Sequence, residues 1–147
     1  RTDGQRGCFL NLPSQNKQDV IVDNINYLNG GFSSIKMNGQ EVYKFAVREV
    51  PSLLQKVLLK NSIPSESLDC LLLHQANQRI LNAVANRFSI PSEKVLSNLA
   101  SYGNTSAATI PSALDTAIQD GRIKRGELLL LEAFGAGFTW GSTLVKY

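Results

Sequence analysis

Between Cys70 and Ile80 the chain changes its hydrophobic period. Cys70-Leu71-Leu72-Leu73 is a continuous apolar run, which reads as a buried strand. Past Asn77 the apolar residues recur at helical spacing, at Ile80, Leu81, Val84, Ala85 and Phe88. Gln78, Arg79, Asn82, Asn86 and Arg87 fall on the opposite side. A strand feeding straight into a helix argues for a sheet covered by helices. The junction holds His74, the only histidine in 147 residues. In open α/β sheets ligands bind beyond the carboxyl ends of strands. A histidine placed there can reach a ligand and can give or take a proton near neutral pH. A hydrogen-bonded structural histidine would occupy the same place, and this stretch alone leaves both roles open.

The rest of the chain extends the alternation. Cys8 to Leu12 reads as a short strand ended by Pro13. Ser14 to Gly31, rich in Asn, Gln and Asp, reads as a long surface excursion with little regular structure. Ser33 to Met37 is a further short strand. Asn38 and Glu41 have capping-box spacing, and a helical face follows through Val42, Phe45, Ala46, Val50, Leu54 and Leu58. Pro51 falls inside that pattern and predicts a kink, because its ring removes a backbone hydrogen bond. Ser-Ile-Pro-Ser-Glu occurs at Ser62–Glu66 and again at Ser89–Glu93. Each copy follows an amphipathic helix and precedes an expected strand, Leu68–Leu73 and Val95–Ser97. A helix through Ala107, Ile110, Leu114 and Ala117 is expected to become regular near Thr109, given Pro111. Glu127–Glu132 reads as a buried strand, Gly135-Ala136-Gly137 as a tight turn, and Phe138–Val145 as a last, antiparallel strand. The expected architecture is α/β, a mixed and mostly parallel five-stranded sheet with helices packed on it.

Length points to one domain. No run approaches the roughly 18 apolar residues of a membrane span. The net charge of +3 is small and its lysines and arginines are scattered, which excludes a nucleic-acid arm. Neither nucleic acid nor membrane is an expected partner. The start at Arg1 is neither a signal nor a transit peptide, and reads as a boundary inside a longer polypeptide. Cys8 and Cys70 give no metal spacing and no disulfide framework, and both are expected as reduced, buried thiols.

Three segments follow strand ends: His74-Gln75-Ala76-Asn77, Tyr102-Gly103-Asn104-Thr105-Ser106 and Phe134-Gly135-Ala136-Gly137-Phe138. A parallel sheet would bring all three to one edge. His74 and Asn104 then offer side-chain donors, and the glycine turn offers backbone N–H groups. Donors converging on one point stabilise a developing oxyanion. Taken singly, Gly103-Asn104 is a common turn pair and Gly135-Ala136-Gly137 a plain hairpin turn. Neither cysteine is placed as a nucleophile.

These three segments, together with Met37-Asn38-Gly39-Gln40-Glu41-Val42-Tyr43, resemble β-ketoacyl-acyl carrier protein synthase III, in a cyanobacterial or plastid form. The resemblance spans nearly the whole chain. It implies a thiolase-like fold of two similar halves, of which residues 1–147 are similar to the C-terminal one. It implies a Cys-His-Asn catalytic set in which His74 is the histidine and Asn104 the asparagine. The cysteine belongs to the first half, so the chain as given lacks the nucleophile and is expected to be inactive alone. The implied reaction is a decarboxylative Claisen condensation of acetyl-CoA with malonyl-acyl carrier protein, without a cofactor or metal.

By the same resemblance, Gly135, Ala136 and Gly137 hold the acyl-cysteine oxygen through a backbone N–H, and Phe134 packs beside the histidine. Ala136 stands where many relatives have glycine, and a positive φ there would be strained. Asn77 and Gln40 fall near the pantetheine. Arg79, Lys44 and Arg87 could face the acidic carrier protein, whereas Arg48 reads as part of a solvated face. A homodimer in the cytoplasm or plastid stroma is implied. Thiolase-like polyketide or starter-loading synthases, and an inactive fragment or interaction domain, are the alternatives.

Overall fold

The computed structural model describes the backbone at residues 1–11, 14–15, 18–22, 25–28, 31–32 and 35–147, and the side chains at 1–11 and 35–147. The first part of the chain forms an antiparallel arm. Strands β1 (Leu10–Asn11), β2 (Ser14–Gln15) and β3 (Gln18–Val22) lead outward. Strands β4 (Ile25–Leu28), β5 (Gly31–Phe32) and β6 (Lys36–Met37) return. β1 pairs with β6, β2 with β5 and β3 with β4, so each pair nests within the one before. The excursion expected to carry little regular structure is therefore a hairpin arm. Its polar composition hid the β-branched and aromatic residues Val20, Ile21, Val22, Ile25 and Tyr27, which favour strands.

Two other expectations need correction at this end. Gly4–Phe9 is a 3₁₀ turn, not a strand, closed by the Arg6 N–H on the Asp3 carbonyl at 3.1 Å. Strand begins only at Leu10, and Cys8 is exposed, not buried. Leu12, Pro13, Ser33 and Ser34 lie outside the described residues, so those parts of the two expected strands do as well.

Helix α1 (Gly39–Lys60) starts where the capping spacing put it. Asn38 Oδ1 accepts the Glu41 N–H at 3.2 Å. The box is only half closed, because the Glu41 carboxylate pairs with Lys44 at 2.9 Å. The helix runs unbroken through Pro51, which leaves the Val47 carbonyl without its helical donor. Val42, Phe45, Ala46, Val50, Leu54 and Leu58 form its buried face.

The repeated pentapeptide takes one conformation twice. Ser62 (φ 54°) and Ser89 (φ 51°) are both left-handed. The next N–H in each copy closes back three residues inside the helix end, Ile63 onto the Leu58 carbonyl and Ile90 onto that of Ala85, both at 3.0 Å. This is the Schellman closure, here with serine where glycine is usual. The first copy leads into β7 (Cys70–Leu73). The second follows α2 (Gln78–Arg87) and leads only to an isolated bridge of Val95 with Leu71. The strand expected at Val95–Ser97 stops there, because Gln75 Oε1 takes over as acceptor from Ser97 Oγ (2.9 Å) and from the Asn98 N–H (3.0 Å).

A short helix α3 (Leu99–Tyr102) precedes α4 (Thr109–Gln119). Pro111 sits in the first turn of α4, where backbone N–H groups have no helical acceptor. β8 (Leu128–Gly135) and β9 (Thr139–Lys146) complete the sheet. β7 runs parallel to β8, and β8 antiparallel to β9. The described sheet is thus three-stranded and mixed, not five-stranded and mostly parallel. Two of the expected strands pair with each other as β1 and β6 instead of joining it.

Successive strand residues face opposite ways, and this divides the core. Leu71, Leu73, Leu130 and Phe134 pack under α1 and α2. Cys70, Leu72 and Leu129 pack against Ala113 and Ala117 of α4. His74 continues the second set and so emerges on the α4 side.

Candidate active site

The parallel ladder carries His74 into place. Its N–H donates to the Glu132 carbonyl at 2.8 Å, one step past the Leu73–Glu132 pair. Its Nδ1 lies 2.8 Å from the Thr109 hydroxyl, at the start of α4. Its ring is half-buried, with Phe134 edge-on beside it. Burial lowers the histidine pKa below its ordinary value, so the ring is neutral at pH 7.

Asn104 arrives from the loop after α3. Gly103 (φ 67°) turns the chain there, and Ser106 (φ 53°) is also left-handed. Asn104 Oδ1 accepts the Ser106 N–H at 2.9 Å. That bond commits the amide oxygen and leaves the NH₂ group as the available donor.

His74, Asn104, Phe134, Gly135 and Ala136 line one cleft of about 610 Å³. Its opposite wall is apolar, built by Leu10, Ile35, Met37 and Val42. Among the described residues no carboxylate lines it. Gly137 belongs to the turn but does not line the cleft, and its N–H bonds the Leu10 carbonyl at 3.4 Å. The positive φ values fall on Gly137 (72°) and Phe138 (43°), so Ala136 escapes the strain its side chain would otherwise bring. Phe138 is held there by packing, buried and stacked on Phe45 at 4.2 Å.

A second groove, of about 870 Å³, adjoins the cleft at Met37. Gln40, Lys44, Asn77 and Arg79 line it with Tyr43. The Arg79 guanidinium stands over the Tyr43 ring at 5.2 Å. Asn77 also caps α2, its Oδ1 accepting the Ile80 N–H at 3.0 Å. Arg87 lies at the far end of α2 and lines neither groove. Arg48 pairs with Glu49 at 2.9 Å on the surface.

Three residues that sequence reasoning left without a role shape the site. Gln75 is fully buried. Its Nε2 donates to Asn98 Oδ1 (3.1 Å) and the Thr109 carbonyl (3.3 Å), and its Oε1 takes the two donors of Ser97 and Asn98. It ties the end of β7 to the segment entering α3 and to the start of α4. Thr109 is buried against His74, and a threonine opening a helix carries no signal of that contact. Glu132 is buried with neither carboxyl oxygen hydrogen-bonded among the described residues. Burial pushes its pKa up to about 8, so it is mostly an uncharged acid at neutral pH. Cys70 is likewise inert, its thiol pushed up to about 11 by burial and then by the Glu127 and Asp69 charges.

Among the described residues no helix is long and apolar enough to cross a membrane. The whole chain is 60% identical to the β-ketoacyl-[acyl-carrier-protein] synthase III of Prochlorococcus marinus (strain MIT 9312), over 44% of that protein's length. It is 56% identical to the enzyme of the same name in Synechococcus sp. (strain WH7803), with 99% of the chain covering 43% of the relative. The crystal structure of 3-oxoacyl-[acyl-carrier-protein] synthase III from Aquifex aeolicus VF5 superposes with a TM-score of 0.83 at 40% identity, over all of this chain and 42% of that one. The chain therefore spans under half the length of these relatives. The profile described as 3-Oxoacyl-[acyl-carrier-protein (ACP)] synthase III C terminal matches residues 58–147. The chain belongs to the 3-oxoacyl-[acyl-carrier-protein] synthase III family, as its C-terminal region.

Proposed function

We propose that this chain is the C-terminal catalytic half of a β-ketoacyl-acyl carrier protein synthase III, one of two thiolase-like halves. The reading rests above all on one observation: two neutral donors, His74 and Asn104, line the same apolar cleft with no carboxylate among its described lining residues. Such a site suits negative charge that forms and then moves on.

In the proposed reaction a cysteine of the other half holds an acetyl group taken from acetyl-CoA. Malonyl-acyl carrier protein enters with its thioester carbonyl between His74 and Asn104. The carbon–carboxylate bond breaks, carbon dioxide leaves, and its electron pair becomes an enolate on the thioester oxygen. His74 Nε2–H and the Asn104 NH₂ donate to that oxygen. The enolate carbon attacks the acetyl carbonyl, the cysteine thiolate departs, and acetoacetyl-acyl carrier protein forms. A backbone N–H of the Gly135-Ala136-Gly137 turn holds the acetyl oxygen during attack. No cofactor is needed.

The groove lined by Gln40 and Asn77 takes the pantetheine arm. Arg79, Lys44 and Arg87 form the basic surface met by the carrier protein. The complete enzyme acts as a homodimer in the cytoplasm or plastid stroma. In the full-length polypeptide, His74→Ala and Asn104→Ala are expected to lower malonyl decarboxylation by at least ~100-fold while cysteine acylation by acetyl-CoA persists. Condensation at the parental rate in either variant overturns the proposal.

A further inference from the structure

The Thr109 hydroxyl has two acceptors in reach. His74 Nδ1 lies 2.8 Å from it and the Ser106 carbonyl 3.1 Å. A hydroxyl carries one proton and serves one of them at a time. The Ser106 carbonyl also accepts the Thr109 N–H, so it keeps a partner when the hydroxyl turns away. His74 Nδ1 has no other partner among the described residues.

Water does not compete for this contact, because Thr109 is only 2% exposed. The residue is also held from several sides. Its carbonyl receives Gln75 Nε2 and Ser112 Oγ, each at 3.3 Å.

We infer that Thr109 is a positioning residue whose hydroxyl donates to His74 Nδ1 and thereby keeps the ring's proton on Nε2, facing the thioester oxygen. The inference rests on the reading of His74 as a donor to that oxygen. The opposite tautomer would turn a lone pair on the enolate and repel it. The arrangement also tolerates the imidazolium. When Nδ1 carries a proton it donates to Thr109, and the hydroxyl swings to Ser106. Every polar group keeps a partner in both states, which matters where an orphaned group costs more than a bond gains.

The test uses Thr109→Val and Thr109→Ser in the full-length enzyme, with His74→Ala as control. Thr109→Val is expected to lower kcat for malonyl decarboxylation about tenfold, with KM and cysteine acylation close to parental. Thr109→Ser keeps the hydroxyl and is expected to restore kcat to within about twofold of the parent. Nitrogen-15 NMR of the ring is expected to report the Nε2–H tautomer in the parent and a mixture in the valine variant. Parental kcat in Thr109→Val, or an Nδ1–H tautomer in the unsubstituted enzyme, overturns the inference, and the NMR result stands even if the valine variant folds poorly. Retained decarboxylation in His74→Ala would instead defeat the reading of the site itself.

Discussion

The imidazole of His74 meets the Phe134 ring edge-on, with centroids 5.2 Å apart and planes at 88°. Phe134 is in turn packed edge-on by Phe45 of α1, at 6.3 Å and 66°. The ring of His74 is therefore fixed on one side by an aromatic stack and on the other by Thr109. Such aromatic contacts contribute about 0.5–1.5 kcal/mol beyond buried area. Phe134→Leu is expected to preserve the fold and lower kcat for decarboxylation by up to about tenfold. Steady-state kinetics on the full-length enzyme would check this, and an unchanged kcat would show that the stack does not orient the ring.

Asn104→Asp separates the two ends of the amide. An aspartate keeps an oxygen for the Ser106 N–H, the bond that shapes the loop. It replaces the NH₂ donor with a carboxylate beside the anion of the proposed reaction. The variant is expected to melt within about 2 °C of the parent while losing at least ~100-fold in decarboxylation. Calorimetry and a carbon dioxide release assay on the same sample would test the pairing of these outcomes.

Glu132 links pH to stability. Its folded pKa of about 8 exceeds the ordinary 4.5, so between these values the folded state binds the extra proton. Stability then falls as pH rises across that window, by up to ~5 kcal/mol once both states are ionised. Glu132→Gln keeps the shape and abolishes the titration. The thermal midpoint of the parent should drop relative to the glutamine variant by several degrees between pH 5 and pH 8.5. Parallel pH profiles for the two would rule out a buried, protonated Glu132.

Ser62 and Ser89 each place a side chain in the left-handed region at a helix end. Glycine adopts that conformation without the steric cost. Ser62→Gly and Ser89→Gly are each expected to raise stability by about 0.5–1 kcal/mol, whereas alanine at either site gains nothing. Chemical denaturation of the single variants would decide between this and a neutral effect.

Much of the site was legible because strand ends can be read from apolar runs. Leu73 and Leu131 mark where β7 and β8 approach the cleft, so His74 and the Gly135-Ala136 turn could be brought to one edge before any coordinates. The limits of α1 were legible for a similar reason, since Asn38 announces its cap in the spacing to Glu41. The hairpin arm was not, because between Ser14 and Gly31 Asn, Gln and Asp together outnumber the apolar residues that drive its pairing. Nor was the loss of the Val95–Ser97 strand. That outcome depends on Gln75, a side chain that competes with a backbone ladder only once the fold has brought it within 3 Å of Ser97 and Asn98. Thr109 escaped for the same reason, because its partner is 35 residues away.

The pairing of Leu73 with Glu132, and of the His74 N–H with the Glu132 carbonyl, has a consequence for tolerated changes of length. Strand side chains alternate with a period of two, so one residue inserted between Cys70 and Leu73 would turn His74 away from Thr109 and toward α1 and α2. An insertion beside Gly121, in the exposed turn after α4, would displace no residue of the cleft. The core strand therefore acts as a gauge for the chemistry, and among natural variants of this half, insertions and deletions should gather at the turns and spare β7.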